Sequence, residues 1–188
     1  MTDRTRRFEA ATVPHLNAAY TLARWLLRDD RHAEDVVQDA CLRAFRHFDQ
    51  LRGDSARPWL LGIVRNACHD WLRQQRRVDD ELEFDELRDS QASLSAGGQG
   101  SHDPAALHEQ REQGERVNQA IAALAPGFRE VIVLRELEEL SYEEIARVAG
   151  IPIGTVMSRL SRARAMLRAA LITEACAAKP TRNDDGHA

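Results

Sequence analysis

Leu140 to Arg168 reads LSYEEIARVAGIPIGTVMSRLSRARAMLR, and its punctuation predicts two helices joined by a tight turn. Ser141 and Glu144 form an S-x-x-E capping box, in which each side chain can satisfy a free backbone amide at a helix start. Gly150 supplies the left-handed residue that ends that helix, and Pro152 stands where the next one opens. A helix-turn-helix needs a small residue where its helices touch, a glycine at the turn and a buried aliphatic in the second helix. Ala146, Gly150 and Val156 meet those demands in register. In the second helix Val156, Leu160, Ala163 and Leu167 lie within roughly 60° of arc and predict the core face. Thr155, Ser158, Arg159 and Arg162 occupy a nearly opposite sector, where short hydroxyls and arginines suit the major groove of duplex DNA. Arg147 to Arg168 holds five arginines and no acid.

Upstream of this motif, Val117, Ala120, Ile121 and Leu124, then Val131, Ile132 and Leu134 to Leu137, fall at helical spacing and complete a small bundle broken at Pro126 and Gly127. The paired glutamates Glu138-Glu139 and Glu143-Glu144 read as a solvated face and as helix-start charge. At the other end, Leu16, Ala19, Tyr20, Ala23, Leu26 and Leu27 predict a helix after Pro14. A second helix is expected over about Arg31 to Phe48, capped by Asp29 or Asp30, with Val37, Cys41, Ala44, Phe45 and Phe48 as its apolar stripe. A third runs from Pro58 to about Arg77. It buries Leu60, Ile63, Val64, Ala67, Cys68 and Trp71 and gathers Arg65, His69, Arg73 and Arg76 on its other side. Trp59 and Trp71 interleave with these cations, so the helix offers an anionic strand both neutralisation and stacking surface. The competing reading keeps both tryptophans in the core and lets the arginines only solvate a helix.

The net charge of -4 over 188 residues hides three unlike blocks. Residues 1–78 carry 14 Arg against 10 acids, residues 79–114 carry 2 Arg against 10 acids, and the cations and acids of residues 115–188 cancel. The middle block includes SQASLSAGGQGS, Ser90 to Ser101, which has the composition of a flexible tether. The expected architecture is therefore all-α: a helical domain over 1–78, an acidic linker over 79–114, a helix-turn-helix domain over 115–174 and a disordered tail over 175–188.

Several classes drop out. No apolar run reaches a membrane span, and MTDRTRRFEA lacks a signal-peptide core, so a soluble cytoplasmic protein is expected. The three cysteines Cys41, Cys68 and Cys176 form no CxxC pair, and neither a metal nor another cofactor is implied. No H-E-x-x-H, nucleophile elbow, Walker loop or GxGxxG is present, so the chain does not read as an enzyme.

Taken together, Ala33 to Arg77 (AEDVVQDACLRAFRHFDQLRGDSARPWLLGIVRNACHDWLRQQRR) and Leu124 to Arg168 (LAPGFREVIVLRELEELSYEEIARVAGIPIGTVMSRLSRARAMLR) resemble regions 2 and 4 of the extracytoplasmic-function (ECF) class of bacterial RNA polymerase sigma factors. The order, the spacing and the acidic tether make the resemblance specific. It implies a protein that binds core RNA polymerase and directs promoter recognition and opening. Asp35, Gln38, Asp39, Leu42 and Arg43 would then contact the polymerase clamp. The loop Arg52 to Trp59, including Ser55, Arg57 and Trp59, would form with Asn66 the pocket for a flipped base of the single-stranded minus-10 element. Arg65, His69, Arg73, Arg76 and Arg77 would line the adjoining strand. Thr155, Ser158, Arg159 and Arg162 would read the minus-35 duplex, with Arg164 and Arg168 on its phosphates. The acidic linker would follow a basic channel of the polymerase. Family members are often held inactive by an anti-sigma factor, an expected partner that the sequence does not identify. Pro58, Cys68 and His69 depart from the family's usual residues and bear on the minus-10 preference. The rival reading is a stand-alone helix-turn-helix regulator that binds duplex DNA without polymerase.

Overall fold

A computed structural model describes residues 2–51, 55–82 and 104–177. Within these residues the chain is helical and contains no strand. The order is α1 (Asp3–Thr12), a 3-10 turn (Val13–His15), α2 (Leu16–Leu27), α3 (Asp30–Arg46), a second 3-10 turn (Phe48–Gln50) and α4 (Ala56–Leu82). Then follow α5 (Pro104–Ala123), α6 (Pro126–Ile132), a π turn (Val133–Leu137), α7 (Tyr142–Ala149) and α8 (Ile153–Ala177).

The first group of helices forms as the apolar spacing predicts, with one addition. Helix α1 is strongly polar and offers little periodic signal. It is held by Phe8, whose ring meets Phe45 and Phe48 edge-on at 5.1 and 5.4 Å, and by Arg4, which donates to the Phe45 carbonyl. Pro14 falls in the 3-10 turn that follows, where its missing amide costs nothing. Asp29 caps α3 by accepting from the His32 amide at 2.9 Å. Leu22, Ala33, Ala40, Leu60, Leu61 and Val64 are fully buried where α2, α3 and α4 meet.

In the second group α7 opens on the capping box, the Glu144 amide donating to Ser141 Oγ and the Ser141 amide to Glu144 Oε2. Gly150 ends it at φ +64°, and its amide reaches back to the Ala146 carbonyl. The Pro152 carbonyl accepts from the amides of Thr155 and Val156, so Pro152 sits just outside α8. Val156, Leu160 and Ala163 are buried in the turn's core and Leu167 is partly buried beside them.

Three expectations shift. Helix α4 begins two residues before Pro58 and continues to Leu82, and α5 begins at Pro104, so helix occupies both ends of the stretch read as a tether. Its centre, with the SQASLSAGGQGS run and half of the acidic residues, lies outside the described residues. The expected disordered tail begins within α8, which continues to Ala177, and the residues beyond it also lie outside the described ones. Lastly, the two helix groups do not stand apart. They share one contiguous apolar core in which α2 packs on α6 and α4 on α7. Arg129 of α6 ties them together, donating to the Ala122 and Leu124 carbonyls at 2.8 Å and to the Trp25 carbonyl across the boundary at 3.3 Å.

Candidate nucleic-acid and polymerase interface

Three surfaces carry the residues singled out by the sequence. The first is the polar face of α3. Burial of Ala33, Val36, Val37, Ala40 and Ala44 on one side leaves Asp35, Gln38, Asp39 and Leu42 exposed on the other. Arg43 pairs with Asp39 at 2.6 Å and with Asp70 of α4 at 3.3 Å. Arg73 and Arg43 together hold the Asp70 carboxyl below its ordinary range. Beside this face runs an open, largely apolar groove of about 550 Å³ between α2 and α3, lined by residues that include Leu16, Tyr20, Val37, Cys41 and Leu42. Leu42, the polar-face residue with the largest apolar side chain, is 58 % exposed at its edge.

The second surface is α4. Ser55, Asn66, Arg73, Arg76 and Arg77 are exposed, while Trp59 is half-buried against the Phe48 ring at a centroid distance of 6.4 Å. Trp71 is likewise partly buried, its ring 4.5 Å from that of His32. Both tryptophans therefore serve the core first, and each presents only part of its ring to the surface. Arg52 lies outside the described residues. The N-terminal half of the cationic face is not open: Arg57 Nη2 donates to Glu138 Oε2 at 2.6 Å, and Arg65 Nε to Glu130 Oε1 at 2.6 Å. The His69 Nε2 atom stands 3.8 Å from the same Glu130 oxygen, beyond hydrogen-bond reach. Burial pushes the Glu130 carboxyl up, and its neighbours His69 and Arg65 bring it down further, so its net displacement is below the ordinary glutamate value.

Glu138 corrects the reading of Glu138-Glu139 as a solvated pair. Glu139 is exposed, but Glu138 is buried and bound to Arg57. The chain leaves α6 through the π turn and then places Glu139, a non-glycine, at φ +50°. That irregular joint fixes where the Glu138 carboxylate points. Neither Glu130 nor Glu138 was legible as a partner in the sequence, because the ion pair of each spans 65 or 81 residues.

The third surface is α8. Ser158, Arg162 and Arg168 are exposed and Thr155 is half-buried. The Ser158 hydroxyl donates to the Thr155 carbonyl at 3.1 Å. Arg159 is half-buried with its guanidinium laid over Gly127 at the start of α6. A β-carbon at that glycine would stand 3.2 Å from Arg159 Nη1. Arg164, assigned to a phosphate, is engaged by Glu136, which accepts from its Nε at 3.0 Å and its Nη2 at 2.7 Å. That pairing raises the guanidinium pKa and keeps the charge fixed. Met157 and Ile153, which the sequence reading passed over, are exposed near the start of the same helix.

None of these surfaces is organised for bond-making chemistry. Burial pushes the Cys68 thiol up to about 12, which leaves it protonated and inert. Among the described residues no cluster of His, Cys, Asp or Glu could hold a metal ion, and no helix is long and apolar enough to cross a membrane.

Comparison with known proteins coincides with this anatomy. Residues 13–78 match the model for sigma-70 region 2, and residues 114–167 match that for sigma-70 region 4. The chain is 37 % identical over 131 residues to the ECF RNA polymerase sigma-E factor of Escherichia coli strain K12, covering 69 % of each chain. It is 32 % identical over 169 residues to the RNA polymerase sigma-H factor of Pseudomonas aeruginosa, covering 88 % of this chain and 86 % of that one. Among solved structures, the sigma factor RpoE from Bartonella quintana, crystallised with the anti-sigma factor NepR, superposes with a TM-score of 0.73 at 28 % identity over 88 % of this chain and 97 % of that one. CnrH in complex with the cytosolic domain of CnrY gives 0.61 at 28 % identity, over 90 % of both chains. With both sigma regions in order, each on its own helix group, this chain belongs to the ECF family of RNA polymerase sigma factors.

Proposed function

We propose that the protein acts as the promoter-reading subunit of RNA polymerase, with α3 docking on the core enzyme, α4 holding the opened minus-10 strand and α8 reading the minus-35 duplex. Sigma factors bind core polymerase and direct initiation without catalysing a reaction themselves, and the pair of sigma regions carries that function to this chain. In detail, Asp35, Gln38, Asp39, Leu42 and Arg43 meet the polymerase. Arg52, Ser55, Arg57, Trp59 and Asn66 frame a base pocket, and Arg65, His69, Arg73, Arg76 and Arg77 follow the strand. Thr155, Ser158, Arg159 and Arg162 face base edges, and Arg164 and Arg168 face phosphates. The exposure of Asn66, Arg73, Arg76, Ser158 and Arg162 supports these roles. An anti-sigma factor is a partner by analogy with the complex of RpoE with NepR, and the cytoplasm, where core polymerase works, is the proposed location. The deciding experiment is transcription from purified components. Addition of the protein to bacterial core enzyme is expected to produce starts at a defined set of genomic promoters. Tight binding to a palindromic duplex without core enzyme, and no starts with it, would instead indicate a stand-alone regulator.

A further inference from the structure

Two arginines in the N-terminal half of α4 each meet one carboxylate from the other helix group. Arg57 and Arg65 each donate at 2.6 Å, to Glu138 and Glu130, whose side chains are only 7 % and 3 % exposed. His69 adds a third potential cation 3.8 Å from Glu130, and its Nε2 is buried without a hydrogen bond of its own. A carboxylate oxygen at this distance from a guanidinium makes the same charge-assisted contact that a phosphate oxygen would. We propose that Glu130 and Glu138 form an internal latch that takes the place of the DNA strand, so the closed protein withholds Arg57, Arg65 and His69 until the two helix groups separate.

Two further observations fit this role. A buried ion pair is a poor way simply to glue two surfaces, since desolvation offsets much of its attraction and apolar packing of the same volume does as well. It is a good way to make a contact that a polyanion can replace, because the cations keep their bonding when the partner changes. Second, the far end of α4 is open: Asn66, Arg73, Arg76 and Arg77 are exposed in the closed form. A strand can therefore land on Arg73, Arg76 and Arg77 and advance toward Arg65 and Arg57 as the carboxylates leave. The joint that would carry Glu138 away is the π turn with the left-handed Glu139, the irregular point of the second group's backbone.

The inference rests on α4 being the strand-binding helix, and its test separates the two ideas. Full-length protein is compared with E130Q/E138Q and with E115Q/E143Q, which removes the same charge from exposed positions outside the contact. Small-angle X-ray scattering reads compactness, and fluorescence anisotropy reads binding of a labelled oligothymidylate of about 20 nucleotides. The latch variant is expected to have a larger radius of gyration than the other two proteins. If closed molecules make up nine-tenths of the wild-type population, it should bind the strand about tenfold more tightly. E130R should also be expanded, and R65E/E130R, with the pair reversed, should return to the wild-type radius, which excludes misfolding as the cause. An unchanged radius in E130Q/E138Q, or a gain in affinity no greater than that of E115Q/E143Q, would overturn the latch. Expansion without strand binding by any of the proteins would overturn the assignment of α4, and with it the idea that the carboxylates stand in for a strand, while showing that they hold the two helix groups together.

Discussion

Arg129 shows how much a single side chain carries in this molecule. Its guanidinium is almost wholly buried, burial and the nearby Arg28 press its pKa down, and among the described residues its charge is met by three backbone carbonyls and by no acid. Arg129→Met keeps the apolar stem but leaves those carbonyls without a donor. The expected loss is about 2–4 kcal/mol in urea unfolding. At the surface, Arg159 is poised differently. Its guanidinium rests on Gly127, which fixes its direction relative to α6. Arg159→Ala is expected to cost about 1–3 kcal/mol of discrimination at one position of the minus-35 duplex, measured by competition among single-base variants of that site. A loss equal across all sequences would reassign Arg159 to the phosphate backbone.

At the scale of elements, α7 and α4 make opposite points. Helix α7 is short, and its start depends on the reciprocal bonds of Ser141 and Glu144. Ser141→Ala should lower stability by about 1 kcal/mol, read from thermal unfolding, and weaken minus-35 binding by no more than that destabilisation requires. Helix α4 is long and anchored by Leu60, Leu61, Val64 and Cys68, so its exposed residues can change without disturbing it. Asn66 is one of these, its side-chain oxygen 3.4 Å from Arg65 Nη1. Asn66→Ala is expected to alter base preference within the minus-10 strand while core-polymerase affinity, measured by fluorescence competition, stays at the wild-type level. Unaltered preference would remove Asn66 from the pocket.

For the whole molecule the closed arrangement has a pH signature. The folded Glu130 carboxyl titrates below its ordinary value of 4.5, because Arg65 and His69 outweigh the effect of burial. A depressed folded value means that Glu130's contribution to closure is complete above the ordinary glutamate range and is lost as pH falls through the lower, folded value. Compactness measured by scattering is therefore expected to hold from neutral pH down to about 5 and to fail only on further acidification. Expansion already under way between pH 7 and 6 would show that another group controls the contact.

Local signals determined much of this protein. The capping box, the left-handed Gly150 and the spacing of Val156, Leu160 and Ala163 define the helix-turn-helix from residues a few positions apart, and the apolar stripe of α4 is equally local. So are the exposed residues of α3, because burying one face of a helix obliges the other to face water. What the tertiary structure alone decided is which charges meet. Glu130 and Glu138 look like any surface acids in the chain, and α1 carries too little apolar periodicity to announce itself. Their partners lie tens of residues away, and only packing brings them within bonding distance. The same packing removes the water that would otherwise compete for those ions. For that reason the cationic face of α4 was readable from the sequence, and the pairing of its Arg57 and Arg65 with buried carboxylates was not.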